Sequence, residues 1–246
     1  MSKKQYAVFD IDGVITRRGL LQLTVNELVA RGKIDIGPGQ NIELMLHNFR
    51  QRVSTENYGD YMRKITENLF ASMPNGLRVE EYDAIVDIVV KKALADTYVY
   101  TRELIATLKR NNFFLIAISG AELKPVSTLS RALGFDAWVG EATFTPDESG
   151  KLSGGVQILT QSKAQILQAI VQKFGLQSSG STAVGDTTSD IEVLAMVESP
   201  IVFNPNQELF KTAREKKWMV VLEQKDMVYG MVNENGQYVL KQVNAK

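Results

Sequence analysis

There is no cysteine anywhere in the 246 residues. That excludes disulfides, thiolate nucleophiles and cysteine-ligated metal sites, and it fits a reducing compartment. An excess of one charge is lacking too: Lys+Arg and Asp+Glu each number 28, so no basic field argues for nucleic acid as a partner. No apolar run is long enough to span a bilayer, and Met1-Ser2-Lys3-Lys4-Gln5 leaves no room for a secretory signal before the first apolar stretch. The expectation is a soluble, cytoplasmic protein with neither membrane nor nucleic acid as partner. Histidine is nearly absent; the single one, His47, falls on a helical pattern and reads as a packing or surface residue, not a catalyst. What is present, 44% hydrophobic and 23% charged residues, supplies an ordinary globular core.

The chain is organised around Tyr6-Ala7-Val8-Phe9-Asp10-Ile11-Asp12-Gly13. A short continuous apolar run suits a fully buried strand. Here it ends in two aspartates with one residue between them. Open parallel α/β sheets bind ligands beyond the carboxyl ends of their strands, so this strand delivers paired carboxylates to such an edge. Taken alone, Asp-Gly is also a common turn.

Apolar residues then recur with helical spacing: Leu20, Leu23 and Leu28, closing near Gly32; Ile42 to Phe49; Tyr58 to Phe70, stopped by Pro74-Asn75-Gly76; Tyr82 to Val90; and Glu103 to Leu108. Strand character begins at 113–118 and ends in Ser119-Gly120. Residues 137–145 and 152–159 flank Pro146-Asp147-Glu148-Ser149-Gly150 as a hairpin. A helical stripe from Ile166 to Phe174 closes at Gly175, and strand 181–184 runs into Gly185-Asp186-Thr187-Thr188-Ser189-Asp190. A strand at 201–203, a helix near Leu209 and a strand at 218–221 follow. The stretch after Tyr229 is polar and turn-rich and receives no assignment. This alternation predicts an α/β fold with a doubly wound parallel sheet. A gap of about 85 residues between the first two strands exceeds ordinary connections and predicts a helical insertion.

In this reading Asp10, Ser119 and Asp186 each stand at the end of a core strand, within reach of Lys163. Ser119 alone would pass for a turn hydroxyl, and Asp186 and Asp190 for ordinary helix-start acids. Lys163 is less easily dismissed, because a cation in the first turn of a helix is disfavoured by a few tenths to about 1 kcal/mol. Together these residue types suit phosphoryl transfer. One carboxylate attacks phosphorus, and a second moves protons. Mg²⁺ offsets the crowded negative charge, while serine, backbone N–H groups and lysine hold the phosphate oxygens.

These four stretches resemble the motifs of the haloacid dehalogenase superfamily of phosphohydrolases. The first is Asp10-Ile11-Asp12-Gly13-Val14-Ile15-Thr16, the second Ser119, the third Lys163, the fourth Gly185 through Asp190. Ile116-Ala117-Ile118-Ser119-Gly120, Gly150-Lys151-Leu152-Ser153-Gly154 and Val202-Phe203-Asn204-Pro205-Asn206 are similar to phrases of its phosphoserine-phosphatase-like branch. The resemblance implies a Rossmann-like core over 1–16 and 99–246, with a helical cap over 17–98 inserted after the first strand. It implies Asp10 as nucleophile and Mg²⁺ ligand, and Asp12 as acid/base with its carbonyl on the metal. Ser119, Gly120 and Lys163 would bind phosphate, Asp186 would ligate Mg²⁺, and Asp190 would support the metal shell. The partner would be a small phosphorylated metabolite; the oligomeric state stays open.

Two positions depart from the branch. Gly19 stands where phosphoserine phosphatases carry a substrate-binding glutamate, and Ala121 where a second glycine is frequent. Phosphoserine is therefore not the expected substrate, unless a cap carboxylate such as Glu27 or Glu43 substitutes. A phosphotransferase or phosphomutase using the same aspartyl phosphate is an alternative reading, as is a non-enzymatic phospho-aspartate switch. An acid/base at Asp12 opposes the switch by shortening the life of the phosphoaspartate.

Overall fold

The computed structural model describes residues 3–34 and 77–245. The helical patterns read at 42–49 and 58–70, with His47, Glu43 and the Pro74-Asn75-Gly76 stop, lie outside the described residues. Strand β1 (Gln5–Phe9) is the apolar run expected from the sequence, and residues 6–9 are all buried. It is central because both its faces need cover: Ala7 and Phe9 pack into one hydrophobic cluster, Tyr6 and Val8 into the other. A strand apolar on both faces belongs inside a parallel sheet with helices on either side.

Parallel pairing joins β1 to β2 (Phe114–Glu122) on one side and β5 (Gln177–Gly185) on the other. It extends outward to β3 (Ala137–Pro146), and through β6 (Ser199–Phe203) to β7 (Met219–Gln224). The hairpin partner β4 (Leu152–Ile158) adds an antiparallel edge. The stretch left unassigned after Tyr229 lies largely in a second hairpin, β8 (Met227–Glu234) and β9 (Gln237–Ala245). Tight turns at Lys225 and Gly236, both at positive φ, make it possible. The order is β4-β3-β2-β1-β5-β6-β7-β8-β9. The doubly wound parallel sheet is thus observed, with antiparallel strands added at both edges.

One boundary differs from the expectation. Ser119 and Gly120 do not end β2; the strand continues to Glu122, and its register with β3 shifts between Ser119 and Glu122. An irregularity re-aims side chains without ending a strand, and that is invisible to an apolar-run reading.

Helices α1 (Leu20–Ala30) and α2 (Val79–Ala95) lie in the described part of the stretch between β1 and β2. Their buried residues, among them Leu23, Leu28, Ile85 and Val89, belong to the same cluster as Ala7, Phe9, Leu115 and Ala117. The outgoing and returning chains are zipped together. Thr16 and Thr97 form an antiparallel bridge, with Arg17 N–H on the Asp96 carbonyl (3.1 Å) and Tyr98 N–H on that of Ile15 (2.9 Å). The chain then enters α3 (Val99–Arg110). On the opposite side of the sheet, α5 (Lys163–Phe174), α6 (Ile191–Ala195) and α7 (Gln207–Lys216) bury Leu167, Leu194 and Leu209. α4 (Leu123–Leu133) follows β2 directly and ends at Gly134 in the left-handed region. Among the described residues no helix is long and apolar enough to cross a membrane.

Candidate active site

β1 ends at Phe9, so Asp10 is the first residue past the sheet; its N–H still bonds the Val184 carbonyl of β5 (3.1 Å). Its Oδ1 accepts the Ile11 N–H (2.7 Å), which turns the carboxylate over its own loop. Gly13, at φ +83°, lets that loop approach the one after β5: a Cβ there would stand 2.1 Å from Asp186 Oδ2. Only a glycine tolerates both constraints.

Lys163 closes the arrangement. The capping box of Ser162 and Gln165 fixes the start of α5, and the Lys163 Nζ donates to Asp10 Oδ2 (2.8 Å) and to Asp190 Oδ1 (2.7 Å). This resolves the sequence puzzle of a cation in a helical first turn, because two carboxylates across the sheet edge outweigh the unfavourable end of the helix. The other oxygen of Asp190 accepts the N–H groups of Asp186 and Thr187, each at 3.1 Å. Asp190 therefore spends one oxygen on Lys163 and the other in fixing the loop that presents Asp186. That loop is one 3₁₀ turn, Thr188–Asp190, ahead of α6.

Oxygens of Asp10, Asp186 and Asp190 lie within 4.8 Å of one another. Asp186 Oδ1 is buried and has no hydrogen-bond donor. A buried carboxylate oxygen without a donor is costly unless a cation meets it, and an all-oxygen set is the donor chemistry of a hard divalent ion. The residues present thus fit a metal.

Electrostatics agree. Burial pushes the Asp10 carboxyl up to about 7, against the pull of Lys163 and with Asp190 and Asp12 adding repulsion. Asp12 is raised to about 6 by burial, opposed chiefly by the Leu20 N–H. Asp186 is raised well above the ordinary range, by burial and then by Asp10 and Asp190. Burial works against the charge of Lys163, but Asp10 and Asp190 more than compensate and hold it firmly protonated. Without a divalent cation the cluster holds more negative charge than one lysine can balance.

Asp12 and Ser119 reach the edge differently. Asp12 Oδ1 accepts the Leu20 N–H (2.9 Å), so the start of α1 holds its carboxylate. Gly19 makes that approach possible: a Cβ there would lie 3.1 Å from Asp12 Oδ2. Ser119 is buried on the strand beside β1, two residues past Ala117, the register partner of Phe9. Its Oγ accepts the Ala121 N–H (3.1 Å), leaving the hydroxyl proton to donate. Gly120 is exposed, and a Cβ there would meet Glu141 Oε2 at 3.1 Å. Glu27, named above as a substitute carboxylate, is tied to Lys92 and Arg31 instead.

Two contributors went unread in the sequence. The backbone at Leu20 holds Asp12, and its signal was Gly19 directly ahead of an apolar helix. Glu223, a lone acid in a buried strand, binds Arg17 and the α3 N–H groups of Val99 (3.1 Å) and Tyr100 (2.9 Å). Its partners are too distant in sequence to be guessed.

A family model for haloacid dehalogenase-like hydrolases matches residues 5–197, and the chain belongs to that family. Within it, the relatives fall in the phosphoserine-phosphatase-like branch. A phosphoserine phosphatase from Wolinella succinogenes is 26% identical over 129 residues, 51% of this chain and 59% of that protein. One from Mycobacterium tuberculosis is 28% identical over 109 residues, 44% of this chain and 34% of its own length. The chain thus spans less than two thirds of the curated relatives it matches. Among solved structures, a phospho-aspartyl intermediate analogue of phosphoserine phosphatase is 20% identical with a TM-score of 0.63, covering 92% of this chain and 96% of the other. A substrate-bound phosphoserine phosphatase complex, also 20% identical, has a TM-score of 0.61 over 86% of this chain and 91% of that one. Identity this low establishes the shared fold.

Proposed function

We propose that the chain is a Mg²⁺-dependent phosphoric monoester hydrolase acting on a small phosphorylated metabolite through an aspartyl phosphate on Asp10. One observation carries the reading: oxygens of Asp10, Asp186 and Asp190 converge within 4.8 Å of one another on a carboxylate, Asp186, that keeps a buried, donorless Oδ1, with Lys163 bridging the other two. Asp10, Asp186 and the Asp12 backbone carbonyl would hold the ion, with Asp190 behind them. When bound, the ion supplies positive charge that lets carboxylates and phosphate share one site.

In the first step an Asp10 oxygen forms a bond to phosphorus while the bond to the leaving oxygen breaks, and Asp12 gives that oxygen a proton. In the second, water attacks the phosphorus, its proton passes to Asp12, and the bond to Asp10 breaks to release phosphate. An acid held near 6 is suited to both transfers. Ser119, the Gly120 backbone and Lys163 would hold the non-bridging oxygens. Residues 1–16 and 99–246 would form the catalytic core, and 17–98 the cap that selects substrate.

Phosphoserine is not the preferred ester in this reading. Position 19 faces Asp12 and offers no side chain to an ammonium group, and Glu27 is already paired. Turnover of a panel of phosphorylated sugars, alcohols, nucleotides and L-phosphoserine, with Mg²⁺ and with chelator, tests the proposal. Activity that needs the metal supports it. Undiminished turnover in metal-free buffer refutes the mechanism, and a phosphoserine kcat/KM more than about a hundredfold above every other ester refutes the specificity claim.

A further inference from the structure

A second concavity opens where α2, α4 and the β3–β4 hairpin meet. It is a cleft of about 260 Å³, just below the roughly 300 Å³ at which drug-sized ligand sites begin. It shares no lining residue with the aspartate edge. Its body is apolar: Val79, Leu123, Trp138, Phe144, Pro146 and Leu152. Most of its polar liners are satisfied from within. Glu122 Oε2 accepts the Tyr82 hydroxyl (2.8 Å) and the Lys124 N–H (2.9 Å). Ser127 Oγ donates to the Lys124 carbonyl (2.9 Å), and the Lys124 ammonium pairs with Asp83 at 2.7 Å.

Arg131 is the exception. Its guanidinium lies 5.2 Å from the centroid of the Trp138 ring, and among the described residues no carboxylate forms a salt bridge with it. One exposed arginine is unremarkable by itself. Here it lies over the aromatic wall of a cleft whose carboxylates and lysine are already paired, and its planar fork of donors matches a carboxylate. A dianion such as a phosphate ester would demand more than this single unmatched cation.

We propose that this cleft binds a small aromatic monocarboxylate, its ring against Trp138 and Phe144 and its carboxylate on Arg131. The ligand would touch both α2, from the insertion, and the core elements α4 and β3.

The test uses the full chain and 2-naphthoate, followed by the indole N–H resonances. Trp138 lines the cleft while Trp218, the only other tryptophan, does not, so one signal reports and the other controls. Expected are a saturable shift of the Trp138 signal alone, no comparable binding of neutral 2-naphthamide, and affinity lowered about tenfold or more by Arg131→Gln, the loss of a charged hydrogen bond. Arg131 is exposed, so this variant should fold. Inorganic phosphate should not displace the ligand. The assignment is overturned if nothing saturates at millimolar concentration, if Arg131→Gln or the amide binds equally well, or if phosphate competes, which would place binding at the aspartate edge.

Discussion

Replacing Asp10 by asparagine keeps the shape of the side chain and removes the charge that Lys163 faces at 2.8 Å. An amide is a poor nucleophile, so turnover of a generic aryl phosphate should fall by several orders of magnitude. The fold should survive, because the carboxylate sits among other acids and is held up to about 7 by burial; the variant's Tm in chelator should match or exceed wild type. Activity within about tenfold of wild type would remove Asp10 from the nucleophile's role. Gly13→Ala tests the approach of the two loops. Strain at φ +83° and a Cβ 2.1 Å from Asp186 Oδ2 should together cost about 1–3 kcal/mol and raise the Mg²⁺ concentration needed for half-activation. An unchanged Tm and metal requirement would show that the loops do not constrain one another.

Elements act through their ends. Glu223, buried in β7, accepts from the first turn of α3 and from Arg17, and its own N–H donates to Asn204 Oδ1 (2.9 Å). It thereby fastens the paired chains beside the Asp10 loop to the far half of the sheet. Glu223→Gln keeps acceptor and size but loses the ion pair; with Arg17 one third exposed, solvent screens part of that loss. A drop of about 1–2 kcal/mol, or roughly 2–8 °C in Tm, is expected by thermal melt, and an unchanged Tm would deny Glu223 the fastening role. This element also shows where reading the sequence stops. The strand carrying Glu223 was legible, because Met219 to Leu222 is an apolar run. Its pairing with Arg17, 206 residues away, was not, because long-range ion pairs leave no periodic trace. Asp10, Lys163, Asp186 and Asp190 were legible as a group, since each stands at a junction that the apolar pattern marks. Ser119 was found, yet its strand was cut short, because the shift in register before Glu122 depends on β3 and not on local residues. The β8–β9 hairpin was missed because its polar, turn-rich composition hides an edge position that buries few side chains.

For the whole molecule, the raised carboxyls set the direction of the pH response. Burial lifts Asp10 and Glu122 to about 7, Asp12 to about 6 and Asp186 well above its usual range, while the unfolded chain titrates them near 4. Between about pH 4 and 7 the folded chain holds protons that the unfolded chain has released, so stability falls as pH rises through this window. Lys163 stays charged throughout and adds no slope. Metal-free protein should therefore melt higher near pH 5 than near pH 7.5. Added Mg²⁺ should raise the Tm mainly at the higher pH, where the carboxylates are free to bind it. A metal-free Tm that climbs steadily across this range would contradict the buried, crowded site.

The strand order has a consequence for biosynthesis. β1 is synthesised before either of its neighbours, yet it lies in the middle of the sheet, between β2 and β5. Its first neighbour begins at Phe114 and its second at Gln177. At about 5–20 residues per second, Tyr6 to Phe9 wait several seconds or more with both hydrogen-bonding edges unmet. During that interval this apolar strand, which leads into the aspartate pair, is a ready docking point for chaperones, or for another nascent chain. A release assay on stalled nascent chains should find the aspartate edge assembled only once residues beyond Asp190 have emerged.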